Sequence, residues 1–190
     1  MSVKYYLSFD VAYRSLAYYF AKIVDNKFIP LFGDVEDFGE FDKIKTFKDI
    51  TKFIKILEYF VTQYFHVKDL TILIERQMTE NVRASEIQSV LISCFVDYPI
   101  IVLDPLRKCS MIFFDDQMTS INYWRSTIKN NYRANKKCSA YTYQTIIKKC
   151  NFAKVTLKDK KRISDLADAF MQMLCYLIEK TGNKLIHPIR

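Results

Sequence analysis

The chain has 190 residues, a formal net charge of +8, 50% hydrophobic and 15% aromatic content, and only three glycines and four prolines. That length can bury a sizeable core and fits one domain over 1–190 better than two, while the shortage of glycine and proline excludes collagen-like, linker-rich and disordered architectures. No window approaches 18 consecutive apolar residues and no basic segment with an apolar run opens the chain, so a soluble intracellular protein without a transmembrane helix or signal peptide is expected.

Val3, Tyr5, Leu7 and Phe9 alternate with Lys4, Tyr6, Ser8 and Asp10, the period-2 pattern of a strand. Two further strands are expected at Ser15 to Val24 and Lys27 to Phe32, joined by a tight turn at Asp25-Asn26. Gly33 to Asp42 reads as an acidic loop. Ile44, Phe47, Ile50, Ile54, Leu57 and Val61 then recur at helical spacing, which predicts an amphipathic helix over Lys43 to Phe65. Leu70 to Glu75 is a short apolar run ending in a carboxylate, the look of a buried parallel strand. A helix over Ser85 to Asp97 and a strand over Ile100 to Leu103 follow. Residues 104–123 give no clear pattern. Helices are expected at Ile121 to Asn130, Ser139 to Lys149 and Asp165 to Glu179, the last with Ser164 as N-cap and a buried stripe of Leu166, Phe170, Met173, Leu174 and Leu177. The order is an antiparallel meander followed by parallel strands with crossover helices: an α/β fold with a mixed sheet flanked by helices.

Charge is unevenly distributed. Residues 1–100 hold 12 Lys/Arg against 14 Asp/Glu, net −2, and residues 101–190 hold 17 against 7, net +10. Within 124–162 lie twelve basic residues and one acid, Asp159, with Trp124, Tyr132, Tyr141, Tyr143 and Phe152 interleaved. Such a segment is either a solvated helical face or a surface that tracks phosphates, and its density favours a polyanionic partner. The five cysteines (Cys94, Cys109, Cys138, Cys150, Cys175) form no Cys-x-x-Cys pair, and His66 and His187 are the only histidines. A disulfide framework, a zinc site and a Cys-His nucleophile are therefore not expected, which leaves carboxylates to carry any chemistry.

Asp10 and Glu75 end two predicted strands, while Asp165 and Asp168 stand three apart in the first turns of the last helix, on the side expected to face away from its apolar stripe. Singly, each acid is more often a capping or surface group. If the four converge, their repulsion calls for a cation, and hard divalent ions such as Mg²⁺ take oxygen ligands. Two such ions support in-line phosphodiester hydrolysis.

Three segments resemble the acidic motifs of the RuvC-type Holliday junction resolvases of the RNase H-like superfamily: Leu7-Ser-Phe-Asp10, Ile72-Leu-Ile-Glu75-Arg76-Gln77, and Ile163-Ser-Asp165-Leu-Ala-Asp168-Ala-Phe170. They are most similar to the poxvirus branch, whose middle motif also reads Glu-Arg-Gln, and Tyr132-Arg-Ala-Asn-Lys136-Lys137 looks like a basic motif of that branch. The resemblance implies a homodimeric endonuclease, using two Mg²⁺ ions (or Mn²⁺) and no small-molecule cofactor, that makes paired nicks in branched DNA such as four-way junctions. In poxviruses it would act on concatemeric intermediates in the host cytoplasm. It implies Asp10, Glu75, Asp165 and Asp168 as catalytic metal ligands, Lys136 and Lys137, ahead of a helix, near the scissile phosphate, and a dimer interface around Ser85 to Asp97. Candidate DNA contacts are Arg76, Arg125, Lys129, Arg133, Lys136, Lys137, Lys148, Lys149, Lys160 and Lys161. Two departures stand out: Ala12 where the family usually has a turn glycine, and a longer Met111 to Asn131 stretch containing Asp115-Asp116. A related nuclease with another branched or hybrid substrate, and a non-catalytic nucleic-acid-binding protein, are the alternatives.

Overall fold

A computed structural model describes residues 3–39, 42–65, 69–78, 80–105, 117–150, 152 and 162–181. Five strands, β1 (Val3–Val11), β2 (Ser15–Val24), β3 (Lys27–Asp37), β4 (Leu70–Glu75) and β5 (Ile100–Leu103), form one sheet in the order β3-β2-β1-β4-β5. The pairs β1–β2 and β2–β3 are antiparallel, and β1–β4 and β4–β5 are parallel. This is the mixed sheet expected from the residue pattern. The helices are α1 (Lys43–Phe65), α2 (Val82–Cys94), α3 (Gln117–Thr127), α4 (Asn131–Lys149) and α5 (Ile163–Thr181).

Strand alternation sends side chains to two cores. Leu7, Phe9 and Val11 of β1, with Leu16 and Phe20 of β2 and Ile72 and Ile74 of β4, meet Ile50, Ile54, Leu57 and Val61 of α1 and Ile87 and Leu91 of α2. On the opposite face, Ala17, Tyr19, Ala21 and Leu73 meet α4 and α5. Here the ring of Phe170 is central, with centroids 4.9 Å from Tyr19, 5.0 Å from Tyr143 and 5.7 Å from Phe28, all T-shaped. Edge-to-face packing places the positive ring edge on a negative ring face. Gly33 admits this close approach, because a Cβ there would stand 2.7 Å from Tyr19, 2.8 Å from the Tyr18 carbonyl and 2.9 Å from Leu166.

Several boundaries differ from expectation for identifiable reasons. β3 continues through the predicted acidic loop to Asp37, because β2 offers backbone partners as far as Ser15. Its polar side chains suit an edge strand. α2 starts at Val82, capped by the Asn81 side chain accepting from the Ala84 N–H. α4 begins eight residues before the predicted Ser139, capped by Asn130 Oδ1 accepting from the Arg133 N–H at 3.0 Å. Lys136 and Lys137 therefore lie within a helix rather than ahead of one. Ser164 is inside α5, not its N-cap. The turn at Asp25-Asn26 forms as predicted, with φ of 49° and 60° at its two residues. Ala12 needs no glycine: its φ is not positive, and its N–H closes the β1–β2 turn by donating to the Ser15 carbonyl at 3.0 Å.

Candidate active site

The strand ends deliver the first two acids. Phe9 pairs with Ile74, and one step further along these parallel strands sets Asp10 beside Glu75. Phe9 and Ile74 belong to the α1/α2 core, so Asp10 and Glu75 point to the other face, toward α4 and α5. Two glutamines, Gln172 buried and Gln88 half-buried, hold this end of the sheet. Gln172 of α5 donates from Nε2 to the Phe9 carbonyl at 3.3 Å, beside Asp10. Gln88 of α2 donates from Nε2 to the Glu75 carbonyl at 3.2 Å and accepts from the Gln77 N–H at 3.3 Å.

The last helix supplies the other two. Asp165 lies in the first turn of α5, where the helix N-terminus favours negative charge. Asp168 is not on an outward side as expected: it is 6% exposed, and α5 is buried on nearly all sides from Leu166 to Cys175 because it is sandwiched between the sheet and α4. The first turn of α5 is tied to the end of β3 by the Arg162–Asp37 ion pair.

Lys136 joins the set. Its ammonium lies 3.0 Å from Asp165 Oδ1 and 3.7 Å from Asp10 Oδ2, and it is in close contact with Asp168 Oδ2. Burial by itself would push this ammonium toward neutrality, but the charges of Asp10, Asp168 and Asp165 outweigh it and hold the lysine well above its usual range. Beside it opens a cleft of about 290 Å³ lined by Glu75, Arg76, Gln77, Asn81, Tyr132, Asn135, Lys136, Ser139 and Asp168, among others. Tyr132, Asn135, Lys136 and Ser139 follow i, i+3, i+4, i+7 spacing, so one face of α4 forms the wall.

The structure thus gathers Asp10, Asp165 and Asp168 around one ammonium, with Glu75 on the same cleft as Asp168. Such an all-oxygen set suits a hard divalent cation in kind. Among the described residues, however, no group of three or more His, Cys, Asp or Glu side chains is arranged to hold a metal ion. The central position belongs to Lys136.

The basic residues divide by location. Arg76 is exposed at the cleft, and Arg125, Lys129, Arg133 and Lys137 are exposed on α3, α4 and the connection between them. The Lys137 ammonium lies 6.0 Å from the Trp124 ring centroid. Lys148 and Lys149 sit at the far end of α4, roughly 18 Å along the helix axis from Lys136 at 1.5 Å per residue. Lys160 and Lys161, like Asp115, Asp116, Cys109, His66 and His187, lie outside the described residues. Residue reasoning missed Gln88 and Gln172, which look like ordinary helix residues, and the α4 wall, whose i, i+3, i+4, i+7 set is polar.

No protein-family model matches the sequence, and no curated protein does. Solved structures do. The fowlpox virus resolvase in complex with Holliday junction DNA is 16% identical over 94% of this chain and 99% of that one, with a TM-score of 0.59. Thermus thermophilus RuvC in complex with a Holliday junction substrate is 16% identical over 97% of this chain and 99% of that one, with a TM-score of 0.57. The likeness is one of fold: a five-stranded mixed sheet flanked by helices, consistent with RNase H-like architecture. In this fold Asp10 at the β1 end and Asp165 and Asp168 of α5 converge on Lys136, on the α4/α5 side of the sheet, and Glu75 at the β4 end lines the adjoining cleft. Among the described residues, no helix is long and apolar enough to cross a membrane.

Proposed function

We propose that this protein is a metal-dependent endonuclease that cuts four-way DNA junctions by paired symmetric nicks. The observation that carries the reading is the gathering of Asp10, Asp165 and Asp168 at the cleft that Glu75 also lines. Asp10, Glu75, Asp165 and Asp168 would hold the metal, two ions of Mg²⁺ or Mn²⁺. Those ions, when bound, supply an activated water and charge stabilisation at the departing oxygen. The protein's own groups do the rest. Burial of Asp10 and Asp168 strengthens their electrostatic interactions, and the Gln88 and Gln172 contacts keep the β4 and β1 ends in place. Arg76 at the cleft, with Arg125, Arg133 and Lys137 nearby, offers positive charge to the DNA backbone.

Junction selectivity is supported by the motif resemblance and by likeness to proteins solved with Holliday junction DNA, and action as a homodimer by the motif resemblance. Exposed apolar residues on α1 and α2, including Ile56, Tyr59, Val82 and Ile92, supply a surface for the second copy. The same resemblance points to viral replication sites in a host cytoplasm as the place of action.

The test is Mg²⁺-dependent cleavage of a synthetic mobile four-way junction, compared with a linear duplex and an RNA–DNA hybrid. Paired symmetric nicks are expected on the junction, lost in Asp10→Asn and Glu75→Gln while junction binding persists. Cleavage of either variant at the wild-type rate refutes the assignment. Preference for the hybrid or duplex would keep the nuclease and replace the substrate.

A further inference from the structure

Lys136 does not occupy the position expected of a lysine that waits at a DNA surface. It stands among three carboxylates, two of them buried, and they come from two elements, β1 and α5, while the lysine comes from a third, α4. Among these four groups the carboxylates outnumber the ammonium three to one, an excess of negative charge that attracts a doubly charged cation. The two cations cannot share the centre, because the oxygens that a hard ion needs at about 2.0 to 2.6 Å are those already turned toward the ammonium. The ammonium also has somewhere to go. Its side chain lines the 290 Å³ cleft, and the Tyr132 ring, whose centroid lies 5.8 Å from Nζ, offers a negative face on that side.

We propose that Lys136 is the resident counter-cation of the acidic site, which a divalent ion must displace into the cleft in order to bind. This rests on the metal-nuclease reading given above. Without metal, Lys136 keeps three like charges together and holds α4 against α5. With metal bound, the same ammonium faces the cleft, where it meets a phosphate. Metal and phosphate therefore assist each other, since each draws on one end of a single lysine's movement, and the coupling is reciprocal.

The test is calorimetric titration of Ca²⁺ into wild type, Lys136→Met and Lys136→Arg without DNA, with thermal unfolding of each protein with and without Ca²⁺. Lys136→Met is expected to bind Ca²⁺ more tightly, on the order of tenfold, within the range usual for coupled sites. Lys136→Arg, which restores the charge, should fall back toward wild type. Metal-free Lys136→Met should unfold at a lower temperature than wild type and gain more from Ca²⁺, a reading that holds even where the variant is too unstable for calorimetry. Equal affinities and equal thermal gains in wild type and Lys136→Met overturn the proposal and leave the nuclease reading intact, provided wild type still cleaves with Mg²⁺. Absence of Ca²⁺ binding in all three proteins overturns both.

Discussion

Replacing Gly33 by alanine puts a methyl group between β3 and the first turn of α5. The added carbon would stand 2.7 Å from Tyr19 Cδ2, 2.8 Å from the Tyr18 carbonyl oxygen and 2.9 Å from Leu166 Cδ1, where ordinary contact begins at 3.4 Å. Leu166 Cδ1 is the end of a flexible side chain and can rotate. The Tyr18 carbonyl is backbone, and Tyr19 is wholly buried against Phe170 and Tyr143. β3 must therefore move, which strains its ladder with β2 and the Arg162–Asp37 tie to α5. Overpacking of this kind costs about 1–3 kcal/mol, a large part of a stability of roughly 5–15 kcal/mol. Because Leu166 lies between Asp165 and Asp168, junction cleavage should fall as well. Gly39→Ala is the control: its φ of +72° is costly for alanine, but nothing lies within 4 Å, so a loss of about 1 kcal/mol without a change in cleavage is expected. Urea unfolding and single-turnover cleavage measure both effects. Gly33→Ala stability within about 0.5 kcal/mol of wild type, the usual span of a surface change, would refute the steric reasoning.

Phe170→Ala removes the ring that Tyr19, Tyr143 and Phe28 share, and should cost about 3–5 kcal/mol by chemical denaturation. Double substitution of Arg133 and Lys137 by alanine should lower the salt dependence of junction affinity by roughly one unit of slope per lost phosphate contact. The same change at Lys148 and Lys149 should leave cleavage nearly unaltered, since they are a helix-length away from the cleft. Burial, then the hydrogen bond that Tyr98 donates to Glu58 Oε1 at 2.9 Å, pushes the Tyr98 hydroxyl up to about 12. The folded state thus holds this proton where the unfolded chain has released it, so Tyr98 contributes stability below pH 10 that is lost as pH rises toward 12. Alkaline difference spectra of wild type against Tyr98→Phe read that value, and Glu58→Gln should move it down.

Much of the fold is legible because burial imposes a period on the residues. The bounds of β2, α1, β4 and β5 follow from apolar spacing alone, and the Asp25-Asn26 turn from residues that tolerate positive φ. The misread places share one cause. β3 beyond Phe32 is rich in polar and glycine residues, and only pairing with β2 makes it a strand. The first two turns of α4 carry Tyr132, Asn135 and Lys136 on a face that lines a cleft, so no apolar stripe announces them. The apolar stripe of Leu166 and Phe170 places Asp168 on the opposite, outward side of the helix, yet α5 is enclosed from both sides.

Residue types and their spacing determined which acids are candidates and which strand ends carry them, because alternation and helical periodicity are local consequences of covalent geometry. What the tertiary structure alone decided is the company those acids keep. Lys136 reaches Asp10, Asp165 and Asp168 across up to 126 positions of chain, and a contact of that range depends on how α4 and α5 pack on the sheet. An ammonium reads the same in sequence whether it faces solvent or three carboxylates, and only the fold distinguishes the two.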